Sequence, residues 1–451
     1  MLGTLLLVGC KSQTSSGTTQ SGANQTAAAP SSATQSSATP SSAIQSSAAP
    51  SSATSSSASS GAATATTLSA ATLPAATPSA ATARKPPATV PPKPGRSPGD
   101  GALPGVRASP TLGAANPTMP VNIYAHAAAG QFSPAVRGVR PLVYVPNGKD
   151  STVSVIDPQA RRVLRTFKVD REPQHVVPSH DLKTLWVASD KGRQSVTPID
   201  PRTGKVGQAV PTLDPYNLYF TPDGLHAVVV AENSQRLDFV DPRTMQPQFS
   251  IPVPCRGINH MDFSPSGQSV IAACEFSGDV LHIDFKFRAV LGSLHLGGMP
   301  QDVKLSPDGQ VYYVADMMRG GLYLIDGRGK VPRKLGFIPT GKGTHGLYPS
   351  RDATRLFISN RGEGSVSVLN FATRKLIAKW LIPGGGSPDM GSVSPDGKEL
   401  WLSGRYDDVV YVFSTRTGKV VSTIKVGKGP HGLTYFPQPG RYSLGHTDNY
   451  R

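Results

Sequence analysis

Four of the ten histidines in this 451-residue chain recur at one place in a repeated segment. They are His175 in Pro173-Gln-His-Val, His260 in Ile258-Asn-His-Met, His345 in Thr344-His-Gly-Leu and His431 in Pro430-His-Gly-Leu, and three further copies carry Asn217, Asp302 and Asp389 there. Neutral imidazoles beside carboxylates are the ligand set of zinc, copper and similar divalent ions. The same groups also bind organic ligands by hydrogen bonds, and the plainest alternative is that they satisfy neighbouring strands and ordered water. Which applies depends on whether the fold brings them to one point.

The elements that would do so are legible in the repeat. Seven units start at residues 173, 215, 258, 300, 344, 388 and 430, spaced 42 to 44 residues apart, the period of a four-stranded propeller blade. Each unit opens with a strand, turns at a segment such as Pro222-Asp-Gly, Pro307-Asp-Gly or Pro395-Asp-Gly, and returns as a short apolar strand. Pro fixes φ in such a turn and Gly accepts φ > 0. A third strand such as Thr152-Val-Ser-Val-Ile-Asp and a fourth such as Val420-Val-Ser-Thr-Ile-Lys follow, and their β-branched alternation argues against helices. The expected fold is all-β: a seven-bladed β-propeller of four-stranded antiparallel blades over residues 121–451. The earliest second strand, at Leu142, precedes any first strand. The last first strand, near 431–437, must therefore complete the first blade and close the ring, which removes open sheet edges.

In such a ring the first strands line the axis, and their opening residues surround one mouth of the channel. Antiparallel pairing brings the ends of the second strands to the same mouth, adding Asp190, Glu232, Glu275 and Asp316, with Arg361 and Arg405 just beyond. Together with the seven residues above, these form the expected ligand-binding cup, and His175, His260, His345 and His431 are its expected metal ligands. Strand periodicity raises an obstacle. Counted back from the Ser or Thr before the turn, His175, Asn217, His260 and Asp302 fall one residue later than His345, Asp389 and His431, and adjacent strand positions face opposite ways. All four histidines point inward only if a bulge shifts the register.

The second strands Leu142-Val-Tyr-Val-Pro-Asn, Leu185-Trp-Val-Ala-Ser-Asp, Val311-Tyr-Tyr-Val-Ala-Asp and Leu356-Phe-Ile-Ser-Asn resemble the Tyr-Val-Thr-Asn signature of the YVTN-repeat β-propellers, over residues 140–437. The resemblance implies the seven-bladed ring. It extends to haem d1-binding, lactonase-type and copper-site propellers, and so implies a ligand at the channel mouth, but none of their complete site patterns is matched. No Cys-x-x-Cys-His marks an attached haem. Gly341-Lys-Gly-Thr-His and Gly427-Lys-Gly-Pro-His look like phosphate loops, yet each enters a strand rather than a helix and reads as a tight crossover between blades. Trp186, Trp380 and Trp401 lie in strand runs and read as core. No Gly-x-Ser-x-Gly elbow marks a nucleophilic serine.

Residues 1–10 end in Leu7-Val8-Gly9-Cys10, which resembles a bacterial lipobox; cleavage before Cys10 would leave a lipidated N-terminus. The basic n-region is missing and the apolar stretch is short, so the true start is read as lying upstream of Met1. Residues 11–120 are dominated by Ser, Ala, Thr, Pro and Gln and cannot offset their ordering entropy. They are expected to form a disordered stalk with a span of roughly 60 Å. No other stretch approaches the roughly 20 apolar residues of a membrane helix. The expected location is the outer side of a bacterial cell membrane. With Cys10 lipidated, Cys255 and Cys274 remain as an extracytoplasmic pair. The hairpin register puts Cys274 nearly opposite Asn259, four residues from Cys255, which leaves a disulfide between them open.

Of the net charge of +16, about +11 falls in residues 121–451. A basic domain outside the cell most simply meets anionic wall polymers or lipid headgroups, and no basic-aromatic stripe supports nucleic acid. Three functional readings follow. The first is a monomeric, envelope-anchored binding or scaffold propeller that presents its cup to a small molecule or an envelope protein. The second is a metal-dependent hydrolase, lactonase or redox enzyme using the histidines with Asp302 and Glu275. The third is a binder of polyanions or single-stranded nucleic acid.

Overall fold

The computed structural model describes residues 122–446 and 448–451; Cys10, segment 11–120 and residue 121 lie outside the described residues. The described strands form seven four-stranded antiparallel sheets. The inner strands Pro173–Pro178, Pro215–Phe220, Ile258–Phe263, Pro300–Leu305, Thr344–Pro349 and Pro388–Val393 are buried along their whole length. Outer strands such as Pro247–Pro252 and Lys375–Leu381 are largely exposed. That gradient explains why second strands such as Leu185–Ser189 and Ala227–Ala231, covered on both faces, read as apolar runs. The short strand Thr434–Phe436 pairs with Leu142–Asn147, with Leu142 opposite Phe436 and Tyr144 opposite Thr434. The C-terminal strand thus completes the first blade, as the order of the repeats demands.

Each of the seven blade interfaces carries its own apolar cluster. Between the sixth and seventh blades, Tyr348, Phe357 and Val368 meet Leu400, Leu402 and Tyr411. Between the seventh and first, Trp401 packs with Val143 and Tyr435. A fully buried side chain of this size contributes about 1.5–3 kcal/mol, so ring closure adds one more such interface to the six that a linear array would have.

The register obstacle is removed by a bulge repeated around the ring. Ile258 pairs with Cys274 and Met261 with Ala272, so Asn259 and His260 stand against Ala273 alone. The same extra residue occurs near the start of each of the other five complete inner strands. A bulge breaks strict alternation, and the second and third residues of each strand both turn toward the axis. His260, a third residue, and His345, a second residue, consequently have ring centroids 6.2 Å apart.

Cys255 and Cys274 form a disulfide with Cα atoms 6.1 Å apart. Cys274 pairs with Ile258, one residue before the Asn259 that hairpin counting gives, and the turn through Gly257, at φ 72, brings Cys255 alongside.

Both chain segments outside the repeat dock on the mouth where the inner strands end. Ile123 N–H donates to Pro307 O at 2.9 Å and Tyr124 Oη–H to Leu305 O at 2.7 Å. The C-terminal residues fold back on themselves, with Arg441 N–H donating to Arg451 O, and are held by Phe220 N–H to Leu444 O at 2.9 Å and His446 N–H to Leu218 O at 2.9 Å. Gly445 sits so close that a Cβ would lie 2.5 Å from Leu218 O and from Tyr219 Cα; only glycine fits there.

Candidate functional site

At the mouth where the inner strands begin, the second residues of the strands are Gln174, Tyr216, Asn259, Gln301, His345, Asp389 and His431. Just below them lie the third residues His175, Asn217, His260 and Asp302, while the remaining strands place Gly346, Met390 and Gly432 there. Small residues therefore stand below the histidines of the upper tier. A Cβ on Gly432 would collide with the His175 ring.

Asp389 is the hub of the upper tier. It is fully buried, with Oδ1 3.1 Å from His345 Nδ1 and 3.2 Å from Arg361 Nη1. Its Oδ2 lies 3.6 Å from His431 Nε2 and 4.0 Å from Arg405 Nε. One carboxylate thus faces two guanidinia and two imidazoles. His431 Nδ1 and Arg405 Nη1 are buried with no protein partner. His345 Nδ1 also touches Met390 Sδ at 3.0 Å, and Arg361 Nη2 touches Met317 Sδ at 2.6 Å.

The lower tier contains a histidine that the repeat did not announce. His446, from the C-terminal segment, enters the channel from the opposite mouth and places its ring 4.7 Å from His260 and 5.3 Å from His175, centroid to centroid. Asn217 Nδ2 bridges His260 Nδ1 at 3.1 Å and His446 Nδ1 at 3.0 Å. Leu218 N–H occupies Asn217 Oδ1, which fixes the amide the same way round. His446 Nε2 lies 3.3 Å from Asp302 Oδ1, and His260 Nε2 lies 3.5 Å from Tyr216 Oη. Both nitrogens of His175 are buried without a partner.

Burial holds the imidazoles of His175, His260, His345 and His431 well below their ordinary range, and neighbouring histidines and arginines add to the effect. They are neutral, and so carry lone pairs. Burial works against ionisation of Asp302, yet Lys304 and His446 together keep its carboxyl below the usual range. On the opposite wall, burial and then the Glu275 carboxylate push Glu232 up to about 8, so it is an acid at neutral pH. Burial raises the Glu275 carboxyl as well.

The expected cup residues thus separate into three groups. His345, Asp389, His431, Arg361 and Arg405 gather in one cluster. His175, Asn217, His260 and Asp302 gather in a second, around His446. Glu232 and Glu275 form an acidic wall, and Asp190 joins Gln174 at 3.3 Å. Asp316 is drawn away, its Oδ1 accepting from Met299 N–H at 3.1 Å and Arg319 N–H at 2.7 Å. The four expected metal ligands therefore do not form one set: they divide between two triads, His175–His260–His446 and His345–Asp389–His431, in each of which the ligand atoms lie within 4.8 Å of one another. His446 went unread because it stands outside the repeat; the one signal was a histidine next to a glycine in an 11-residue tail that also holds Asp448.

Solved structures share this architecture. The Pseudomonas aeruginosa periplasmic gluconolactonase superposes with a TM-score of 0.56 at 17% identity, covering 66% of this chain and 99% of that one. A dihydro-haem d1 dehydrogenase gives 0.52 at 17%, covering 68% and 77%. Hydrazine synthase of Kuenenia stuttgartiensis gives 0.53 at 19%, covering 60% and 92%. At such identities the likeness is one of fold. No curated protein sequence matches the chain. No helix among the described residues is long and apolar enough to cross a membrane. A family model for YNCE-like beta-propellers matches residues 111–439, and with seven closed blades in the same span the chain belongs to the YNCE-like beta-propeller family.

Proposed function

We propose that this chain is an extracytoplasmic, membrane-tethered binding propeller whose cup takes a small polyhydroxylated organic acid. The observation that carries the reading is the pair Arg361 and Arg405 converging on the single buried carboxylate of Asp389. One carboxylate cannot satisfy two guanidinium forks, and Arg405 Nη1 and His431 Nδ1 are left buried without a partner. A second carboxylate, brought by a ligand, suits that place. Across the cup, Gln174, Asn259, Gln301 and the protonated Glu232 offer the mixed donors and acceptors that hydroxyl groups need. The shared fold with a periplasmic gluconolactonase makes sugar acids and their lactones the first class to test. The lipobox-like Leu7-Val8-Gly9-Cys10 and the Cys255–Cys274 disulfide both suit an oxidising compartment outside the cytoplasm.

The test is calorimetric titration of the full chain with gluconate and with 6-phosphogluconate at neutral pH, beside Arg405→Met. Saturable binding, weakened at least about tenfold in the variant, supports the reading. No heat and no shift in melting temperature with a panel of sugar acids overturns it.

One contact favours a hydrolytic variant of this reading. His345 Nδ1 lies 3.1 Å from Asp389 Oδ1; if Nδ1–H donates to the carboxylate, Nε2 is left to take a proton from water, as in a carboxylate-oriented general base. Steady release of gluconate from gluconolactone that falls in His345→Gln, with sugar-acid binding retained, would identify it.

A further inference from the structure

We infer that the lower tier of the channel is a site for one divalent transition-metal ion with His175, His260 and His446 as ligands, one of them delivered by the C-terminal segment. The inference does not rest on the organic-acid reading of the cup above it.

The three rings come from the inner strand of the second blade, that of the fourth blade, and the tail, and all three are fully buried. One ligand atom from each lies within 4.8 Å of the other two. An ion with bonds of about 2.1 Å keeps tetrahedral ligands about 3.4 Å apart, so side-chain rotations that close the triad by about 1.4 Å or less are enough. Two of the rings are already held as ligating histidines are held. His446 Nε2 faces the Asp302 carboxylate at 3.3 Å and His260 Nε2 faces Tyr216 Oη at 3.5 Å. Outer partners of this kind place the N–H on one nitrogen and the lone pair on the other. Both lone pairs are then on Nδ1, and both Nδ1 atoms converge on a single point, the Asn217 amide nitrogen.

His175 is the independent sign. It is an imidazole removed from water with neither nitrogen bonded, whereas His260, His345 and His431 each face a partner with at least one nitrogen, and Gly432 makes room for its ring. A core position with no ligand to hold would be better filled by an apolar residue.

The other triad, His345–Asp389–His431, has the same spacing but the wrong surroundings. Arg361 already pairs with Asp389 and Arg405 lies beside it, so a dication would have to displace one guanidinium and sit next to both. In the lower tier Lys304 bears on Asp302 and also on His260 and His446, and Arg405 bears on His175, but none of the three imidazoles shares a carboxylate with a guanidinium as His345 and His431 do at Asp389. Three neutral imidazoles select zinc, copper or cobalt over the hard, oxygen-seeking magnesium and calcium. Asn217 is the group an entering ion must displace, so it opposes binding.

The test uses the full chain, stripped with a chelator and titrated with Co2+ and then Zn2+ at neutral pH. One Co2+ per chain, with visible ligand-field absorption that Zn2+ abolishes, is expected. Affinity should fall about tenfold or more in His446→Gln and in His175→Ala, and rise in Asn217→Ala. Three exchangeable, hyperfine-shifted imidazole N–H resonances in the Co2+ form provide a count that needs no variant. No bound ion in the wild-type chain overturns the inference, as does a His446→Gln chain that loads like wild type. Loss of the ion in Asp389→Asn but not in His446→Gln would overturn it as well, by moving the ion to the upper tier.

Discussion

Arg351 Nη2 donates to Asp448 Oδ1 at 2.6 Å, and both side chains are almost removed from water. Arg351 leaves the turn of the sixth blade and donates also to Val393 O at 2.7 Å and Gln438 Oε1 at 2.6 Å, while the other Asp448 oxygen accepts from Val393 N–H at 3.1 Å. The pair fastens the C-terminal segment across the far mouth. Because that segment carries His446, a contact at one end of the channel positions a residue near the other.

Replacing Arg351 with Ala leaves the Asp448 carboxylate buried and unpaired, a change that costs about 3–5 kcal/mol. Urea unfolding should show that loss, and limited proteolysis should clip the tail before the blades. The double variant Arg351→Ala/Asp448→Asn should recover part of the stability. Equal midpoints for wild type and Arg351→Ala would mean that the tail is held by something else.

Acidification should destabilise the ring in a defined window. His175, His260, His345, His431 and His446 are all held below the ordinary imidazole range, chiefly by burial. The unfolded chain takes up protons near pH 6.5 while the folded chain does not. Unfolding is therefore favoured progressively as pH drops below about 6.5, and the stability is fully present above it. Melting temperature should fall steeply from pH 7 to pH 5. A flat profile would show that these imidazoles are charged in the fold or readily hydrated.

Glu232 acts in the opposite direction. Its carboxyl is raised to about 8 by burial and Glu275, against an unfolded value near 4.3. The folded state therefore holds a proton that the unfolded state has lost, and stability falls as pH rises through this interval, by at most about 5 kcal/mol. Glu232→Gln should leave the melting temperature unchanged near pH 4 and raise it at pH 9. If the variant and wild type melt together at pH 9, the wall is wetter than its burial indicates.

The disulfide closes a loop with a sequence separation of 19, for which the chain-entropy argument gives about 3 kcal/mol. The double variant Cys255→Ser/Cys274→Ser should lose roughly that amount in denaturant unfolding, and reductant should lower the wild-type midpoint equally. A reductant-insensitive midpoint in oxidised protein would show that the bond adds no stability.

The repeat was legible in the chain because each blade must meet the same local demands. Turns such as Pro307-Asp-Gly, apolar second strands such as Leu356-Phe-Ile-Ser-Asn and a period of 42 to 44 residues are written in neighbouring residues. Even closure followed from order alone, since Leu142 opens a second strand before any first strand exists.

The meeting of His260 with His345 was not legible. Period-two counting sends them to opposite faces, and only a bulge that lets two residues oppose Ala273 turns both inward. A bulge is a property of paired backbones, and no residue type announces it. His446 was hidden for a related reason: its place between His175 and His260 depends on an irregular tail folding back across the far mouth, where Gly445, Arg351 and Asp448 hold it. The composition of this chain determined that imidazoles, carboxylates and guanidinia would line a propeller channel. Which of them share a point in space was decided by long-range backbone geometry, because contacts between residues as distant in sequence as Asn217 and His446 exist only once the ring has closed.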